Sequence, residues 1–353
     1  PKLKKMADIG LDLCVAGDLT PSIGDSGSIL GSKRVGWTPA LQGPAFDHYG
    51  DPRHAKALAL MGAEDKDLWE DRFDEVKAAA VAAQEGTDLG LTTRNLGGYG
   101  LGVLEAGEGA QKRGVAMYYG HAGGGHGHRD RLNIEMLTYD LPILTDMGYP
   151  AHWLAKNSYW TSNTISHYAV VVDQAGQRTQ FAGHLNTLAS APGVQLMDAS
   201  ADAVAYPGVA SLYRRTCALV DISPEDSYLL DIFRVQGGRQ HDWSFHGPPF
   251  PEFTVTGGEP GPVQEKGTLA GEDVPFGTTP PARVSGAGLS LDLVGAEGVL
   301  DDGRPYADRS LEGWARYSGS YVLTRKLGAT MALPVPPVGP GKVKLFLRVY
   351  DYK

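Results

Sequence analysis

The sequence predicts an α+β protein, a helical N-terminal piece followed by a large antiparallel β-sandwich. Three observations carry this. Apolar residues recur at helical spacing only before about residue 90. Beyond that point short β-rich runs alternate with turn clusters. Glycine and proline are dense, at 47 and 23 residues in a chain of 353, a composition that favours turn-rich β structure over helix.

Two segments account for the helical piece. Asp51-Pro-Arg-His-Ala-Lys-Ala-Leu-Ala-Leu-Met reads as a helix with Asp51 at its cap and Pro52 at its first position. Leu68, Trp69, Phe73, Val76, Ala80 and Ala83 mark a second, near 3.6-residue spacing. Pro21-Ser-Ile-Gly-Asp-Ser-Gly is a loop in which Asp25 suits a cap better than a catalytic base. Strands are expected at Gly100–Glu105, Gly114–Tyr119, Tyr168–Asp173, Thr216–Asp221 and Ser227–Val235. Pro248 to Pro281 is a Gly/Pro-rich crossing. Strands resume near Ser290, Ser320 and Val343. The expected division is therefore residues 1–90 helical, 91–255 sandwich, and 256–353 a further β-rich region that continues the sandwich or starts a second β domain.

Charge and composition exclude some classes of function. The net charge is −9, from 32 basic and 41 acidic residues. Bulk electrostatic capture of nucleic acid or of an anionic membrane is not expected. An anionic substrate held by local Arg and Lys remains compatible. No apolar run reaches the roughly 18 residues of a membrane span. Cys14 and Cys217 lie far apart in apolar runs and read as two buried free thiols. The chain starts at Pro1 rather than Met, and its last residues read as a strand that closes no domain. A fragment or processed portion of a longer protein is the expectation.

The densest chemistry lies in Gly120-His-Ala-Gly-Gly-Gly-His-Gly-His-Arg-Asp130, which holds three of the ten histidines. If the His126-x-His128 pair is extended, both rings project to one face. The small neighbours leave space, and apolar alternation resumes at Leu132, Ile134 and Met136. Asp146 and His167 follow in strand-like settings. Two histidines, a carboxylate and spare histidines are the ingredients of a zinc site with an open position.

Four blocks together resemble the heparinase II/III-like polysaccharide lyases, a group that includes alginate lyases. They are Gly98-Tyr-Gly-Leu-Gly-Val-Leu-Glu; Tyr119 to Met136 around the His-x-His pair; Thr145-Asp-Met-Gly-Tyr-Pro; and Ser166-His167 before Val-Val-Val-Asp. Pro21-Ser-Ile-Gly-Asp-Ser resembles the loop before the last toroid helices of that family. The resemblance implies an incomplete α/α toroid followed by antiparallel β-sheets, with the C-terminal helices of the toroid in residues 1–90. It implies β-elimination at a uronic acid of an anionic polysaccharide or oligosaccharide, outside the cytoplasm: secreted or periplasmic. It implies one zinc, with His128, Asp146 and His167 as ligands spaced 18 and 21 residues apart. His126 resembles the active-site histidine, and Tyr159 takes the place of a second active-site tyrosine. The principal base would lie in a toroid segment upstream of Pro1. A homodimer is one assembly this reading allows.

For substrate contacts the reading selects Arg129, Trp153 and His241. Arg129 and Arg131 could meet acid groups by bidentate pairing, or form a solvated face. His241, with Trp243 and His246, suits a sugar subsite or a structural rim. Tyr159 equally suits packing at a sandwich end. Two other functions compete. A cupin-like metalloenzyme also uses His-x-His, but the glutamate expected about four residues on is absent, the next being Glu135. A non-catalytic carbohydrate-binding sandwich explains Trp153, Trp160 and Trp243 but not the His/Asp/His set. Gly24-Asp-Ser-Gly is not Gly-x-Ser-x-Gly, and Gly123-Gly-Gly-His-Gly lacks a βαβ setting.

Overall fold

The computed structural model describes residues 2–26, 32–33, 36–62, 89–138, 141–146, 148, 161–173, 175–239 and 241–246, with strand backbone at 254–256, 290–293, 319–324, 330–334 and 344–348. The helical periodicity of 65–83 and residues Trp153, Tyr159 and Trp160 fall outside them.

Three helices open the chain: α1 (Lys2–Asp12), α2 (Pro39–Tyr49) and α3 (Pro52–Met61). The start of α3 follows from its sequence. Asp51 accepts the Arg53 backbone N–H, and Pro52 loses nothing at a position whose N–H has no helical partner. Gly50 and Gly62 end α2 and α3 in left-handed conformation. Between α1 and α2 run two short paired strands, β1 (Leu19–Thr20) and β2 (Ser32–Lys33).

A five-stranded antiparallel sheet follows: β3 (Arg94–Leu96), β4 (Leu101–Ala106), β5 (Arg113–Tyr118), β6 (Asn133–Thr138) and β7 (Leu141–Leu144), in sequence order. Then comes β8 (Val170–Val172). A four-stranded antiparallel sheet is built from β9 (His184–Ala191), β10 (Val194–Ser200), β11 (Ala210–Asp221) and β12 (Ser227–Gly237). β13 (His241–His246) pairs with β8. The remaining strands are β14 (Thr254–Thr256), β15 (Ser290–Leu293), β16 (Gly319–Thr324), β17 (Thr330–Pro334) and β18 (Lys344–Arg348). β15 and β16 extend the β8/β13 sheet, while β14, β17 and β18 form a separate three-stranded sheet.

The five-stranded sheet is covered on both faces, so β5 and β6 are buried throughout. Alternation sorts their side chains. Leu104, Val115, Met117, Ile134 and Met136 join Met197, Tyr213, Cys217, Leu219 and Leu229 in the sandwich core. Leu101, Val103, Ala116, Tyr118 and Leu137 pack on the other face against Val15, Ala16 and Leu19, the segment that follows α1. Cys14 and Cys217 are buried free thiols, as expected.

Glu105 ties this second face together. Its carboxylate accepts the Ala16 N–H at 3.1–3.2 Å and pairs with Arg94 at 3.2 Å. Burial pushes the carboxyl up to about 7, against the pull of Arg94 and the Ala16 amide. A raised folded-state value stabilises below the ordinary carboxylate range, and that stabilisation is lost as pH rises through about 7. Glu105→Gln keeps an acceptor for the Ala16 amide but cannot ionise. Denaturant unfolding of both proteins between about pH 5 and pH 8 should therefore show the variant gaining on the wild type as pH rises. A constant difference across that window would refute this account.

Candidate functional site

The glycine-rich segment is a loop that runs on through His126 and His128, so the pair does not take the extended form that would put both rings on one face. β6 begins only at Asn133, and residues 121–132 lie outside regular strands. Glycines at five of the eight positions 120–127 offer no side chains for a ladder and favour turn conformations instead. The loop closes tightly: Leu132 adopts a φ of +62°, its N–H donates to the Tyr118 carbonyl, and the Asn133 N–H donates to the Asp130 carbonyl. The two histidines consequently differ in setting. The His126 side chain is 75% exposed, and that of His128 is 1% exposed. They share Asp25 instead of a strand face. The Asp25 carboxylate accepts from His126 Nδ1 at 3.0 Å and from His128 Nε2 at 2.9 Å.

His167 arrives from the opposite side, at the end of the 3₁₀ turn Thr164–Ser166 that leads into β8. Its Nδ1 donates to the Asn163 carbonyl at 2.7 Å, which leaves Nε2 as the ligating nitrogen. Burial lowers its pKa to about 4, so the ring is neutral over the physiological range. The rings of His128 and His167 meet edge to face, 5.5 Å between centroids.

Asp130 is a carboxylate that clusters with both histidines. One donor atom each from His128, Asp130 and His167 fall within 4.8 Å of one another, and all three residues are buried. Each keeps one buried polar atom without a hydrogen-bond partner: His128 Nδ1, Asp130 Oδ1 and His167 Nε2. Unpartnered buried polar atoms on three residues clustered this closely are costly unless something binds them. Asp146 is also fully buried, with Oδ2 3.2 Å from His167 Nε2. Its carboxylate accepts from Asn133 Nδ2 at 2.8 Å and from the Gly148 N–H at 2.8 Å. Asn133 further accepts the Tyr168 N–H at 2.9 Å, so it splices the Asp146 and His167 segments together. Glu135, behind them, is held well above the usual carboxylate range by burial and then by the charge of Asp146.

The structure thus brings together His126, His128, Asp146 and His167 and adds three residues the sequence reading did not select: Asp25, Asp130 and Asn133. The signal for Asp130 was its place two residues after His128. Asp25 and Asn133 carry no local signal, because their roles arise from contacts across 103 and 13 residues. Arg129 is exposed beside the loop, its N–H donating to the Ser162 carbonyl at 3.0 Å. His241 sits on β13 opposite Val172, with Nε2 on the Gly237 carbonyl at 2.6 Å. A hydrogen bond to the end of the preceding strand, β12, suits a structural part for His241.

His/Asp/His donors of this type fit zinc: imidazole nitrogen and carboxylate oxygen in a small buried set.

Residues 96–271 match the family model described as heparinase II/III-like, C-terminal. The chain is 29% identical over 160 residues to an exo-oligoalginate lyase of Saccharophagus degradans, covering 39% of this chain and 21% of that protein. It is 32% identical over 147 residues to an alginate lyase of Stenotrophomonas maltophilia, covering 35% of this chain and 19% of that protein. The chain therefore spans about a fifth of the length of these relatives. A crystal structure of a mutant of the heparan sulfate lyase HepC from Pedobacter heparinus superposes with a TM-score of 0.52 at 14% identity, covering 92% of this chain and 44% of that one. That likeness concerns the fold alone, and it agrees with the expected α+β class.

Proposed function

We propose, from the premise that this chain belongs through residues 96–271 to the heparinase II/III-like family, that it forms part of a lyase cleaving a uronate-containing polysaccharide by β-elimination. One observation carries the reading. The glycine-rich loop presents His126 to solvent and, two residues later, sends His128 into a buried donor set with unpartnered atoms. A carbohydrate-binding sandwich has no use for those donors.

The reaction has three requirements. The C6 carboxylate must be neutralised so that the C5 proton becomes acidic. A base must remove that proton, its electrons forming the C4–C5 double bond. The C4–O bond then breaks, and the departing oxygen takes a proton. His126 is assigned the first task or the relay of the proton, a reading supported by its exposed ring and its contact with Asp25. Tyr159 is assigned to the same cleft, with the principal base supplied by the toroid. Arg129, exposed beside the loop, and Trp153 are assigned to substrate. Zinc would be held by His128, His167 and a carboxylate: Asp146, matched by resemblance and 3.2 Å from His167, or Asp130, clustered with both histidines. When bound it would add a further tie between the loops that carry these donors and would supply modest Lewis acidity. A polymeric acidic substrate is met outside the cytoplasm, which makes the expected location secreted or periplasmic. Among the described residues no helix is long and apolar enough to cross a membrane.

The test uses the product. A C4–C5 double bond conjugated to the carboxylate absorbs in the near ultraviolet. With alginate and heparan sulfate offered to the intact protein, such absorbance should develop on one of them. His126→Ala should lower the rate by about 10²–10⁴-fold, the usual worth of an acid–base group, while leaving zinc content unchanged. Absence of unsaturated product from every uronate polymer tried, or an unimpaired His126→Ala enzyme, would overturn the reading.

A further inference from the structure

We propose that Asp25 is a positioning residue that sets the tautomer of His128 and thereby offers its Nδ1 lone pair to the metal; this rests on the reading that the site holds zinc. The argument is one of donors and acceptors. A carboxylate only accepts, so each ring nitrogen bonded to Asp25 must carry the hydrogen. His128 Nε2 lies 2.9 Å from Asp25 Oδ1 and is therefore N–H. A neutral imidazole with its hydrogen on Nε2 has its lone pair on Nδ1. His128 Nδ1 is the buried atom left without a hydrogen-bond partner. A histidine thus oriented by a carboxylate on its far nitrogen is a recurrent support for a bound metal.

The backbone around Asp25 is built for this contact. The Asp25 N–H donates to the His126 carbonyl at 3.0 Å. Gly24 precedes it at a φ of +60°, and a Cβ there would stand 2.4 Å from the same carbonyl oxygen. Glycine alone fits both the dihedral and the approach. Ser26 Oγ closes the loop onto the Ile23 carbonyl at 2.7 Å. The Asp25 side chain is 7% exposed, so water competes little for its oxygens. The other oxygen holds His126 Nδ1, so one carboxylate sets the ring that would face substrate and the ring that would face metal. It does so from the segment between α1 and α2, which makes the helical piece part of the site.

The test reads the tautomer directly. Side-chain ¹⁵N NMR of the metal-free, histidine-labelled full chain should show His128 protonated on Nε2 and bare on Nδ1. Asp25→Ala should lose that single tautomer, and chelator competition should show zinc bound about 10–100-fold more weakly, the usual effect of losing such a partner. Asp25→Asn retains an acceptor oxygen and should restore the tautomer and part of the affinity. A wild-type His128 protonated on Nδ1, or an Asp25→Ala protein with unchanged tautomer and zinc affinity, would overturn the proposal. The wild-type spectrum decides even if Asp25→Ala fails to fold. Should the wild type take up no zinc, the zinc reading falls by itself, and the tautomer still tells whether Asp25 positions His128.

Discussion

His167→Ala is expected to abolish stoichiometric zinc binding. His167 is the most constrained donor in the site: fully buried, held through Nδ1 by the Asn163 carbonyl, and kept neutral by burial. Those three conditions deliver one lone pair, at Nε2, to one place. No other described side chain nearby supplies a replacement nitrogen in the same position. The wild type should bind one zinc and gain stability from it. At a free zinc concentration 100 times Kd, the gain is about 2.7 kcal/mol. His167→Ala should show neither the bound metal nor the stabilisation, and His128→Ala should behave alike. The carboxylates separate the two possible donor sets. Asp130→Asn should cost the larger share of affinity if the carboxylate clustered with both histidines is the ligand, and Asp146→Asn if the one beside His167 is. Metal analysis of the purified variants, with unfolding measured at zero and saturating zinc, reads all four. Equal, stoichiometric zinc in the His128 and His167 variants would sink the assignment.

The same residues show what a sequence makes legible and what it does not. The strands around the sandwich core announce themselves because apolar and β-branched runs are bounded by turn residues, and Asp51-Pro52 announces α3. β9 and β10 were not foreseen. β9 has only Leu185 and Leu188 as large apolar residues, and in β10 Leu196 and Met197 are adjacent, so the period-2 signal is weak, and the strands are fixed by the pairing of β10 with β9 and β11. At the site, His128, Asp146 and His167 stood out by residue type and block resemblance. The geometry of the loop did not. An extended His-x-His would have aligned the two rings, but glycine frees the backbone to turn, and Asp25 captures both rings from 101 and 103 residues away. Asn133, the first residue of β6, carries no local signal of its role. Its value lies in having both a donor and an acceptor where Asp146 and Tyr168 come together.

Arg215→Met should be the most destabilising single change among the strands behind the site. Arg215, on β11, is fully buried, yet its guanidinium is nearly satisfied. Nε and Nη2 pair with the two oxygens of Asp231 on β12, at 2.8 and 2.5 Å. Nη1 donates to the Leu132 carbonyl at 2.7 Å and to the Tyr168 carbonyl. The Phe233 ring lies 5.0 Å beneath it. Leu132 is the positive-φ residue that closes the histidine loop, and Tyr168 directly follows His167. One cation thus joins the two segments that carry the donors. Removing it leaves Asp231 unpaired at 14% side-chain exposure and two buried carbonyls short of a donor. Breaking a buried pair from one side costs about 3–5 kcal/mol, which should appear in urea unfolding. The Arg215→Met/Asp231→Leu double variant removes the stranded charge as well, so it should cost less than Arg215→Met alone. It cannot restore the hold on Leu132 and Tyr168. Zinc affinity should therefore stay weakened in the double variant even as stability partly returns, and recovery of both together would show that Arg215 serves the fold without serving the site.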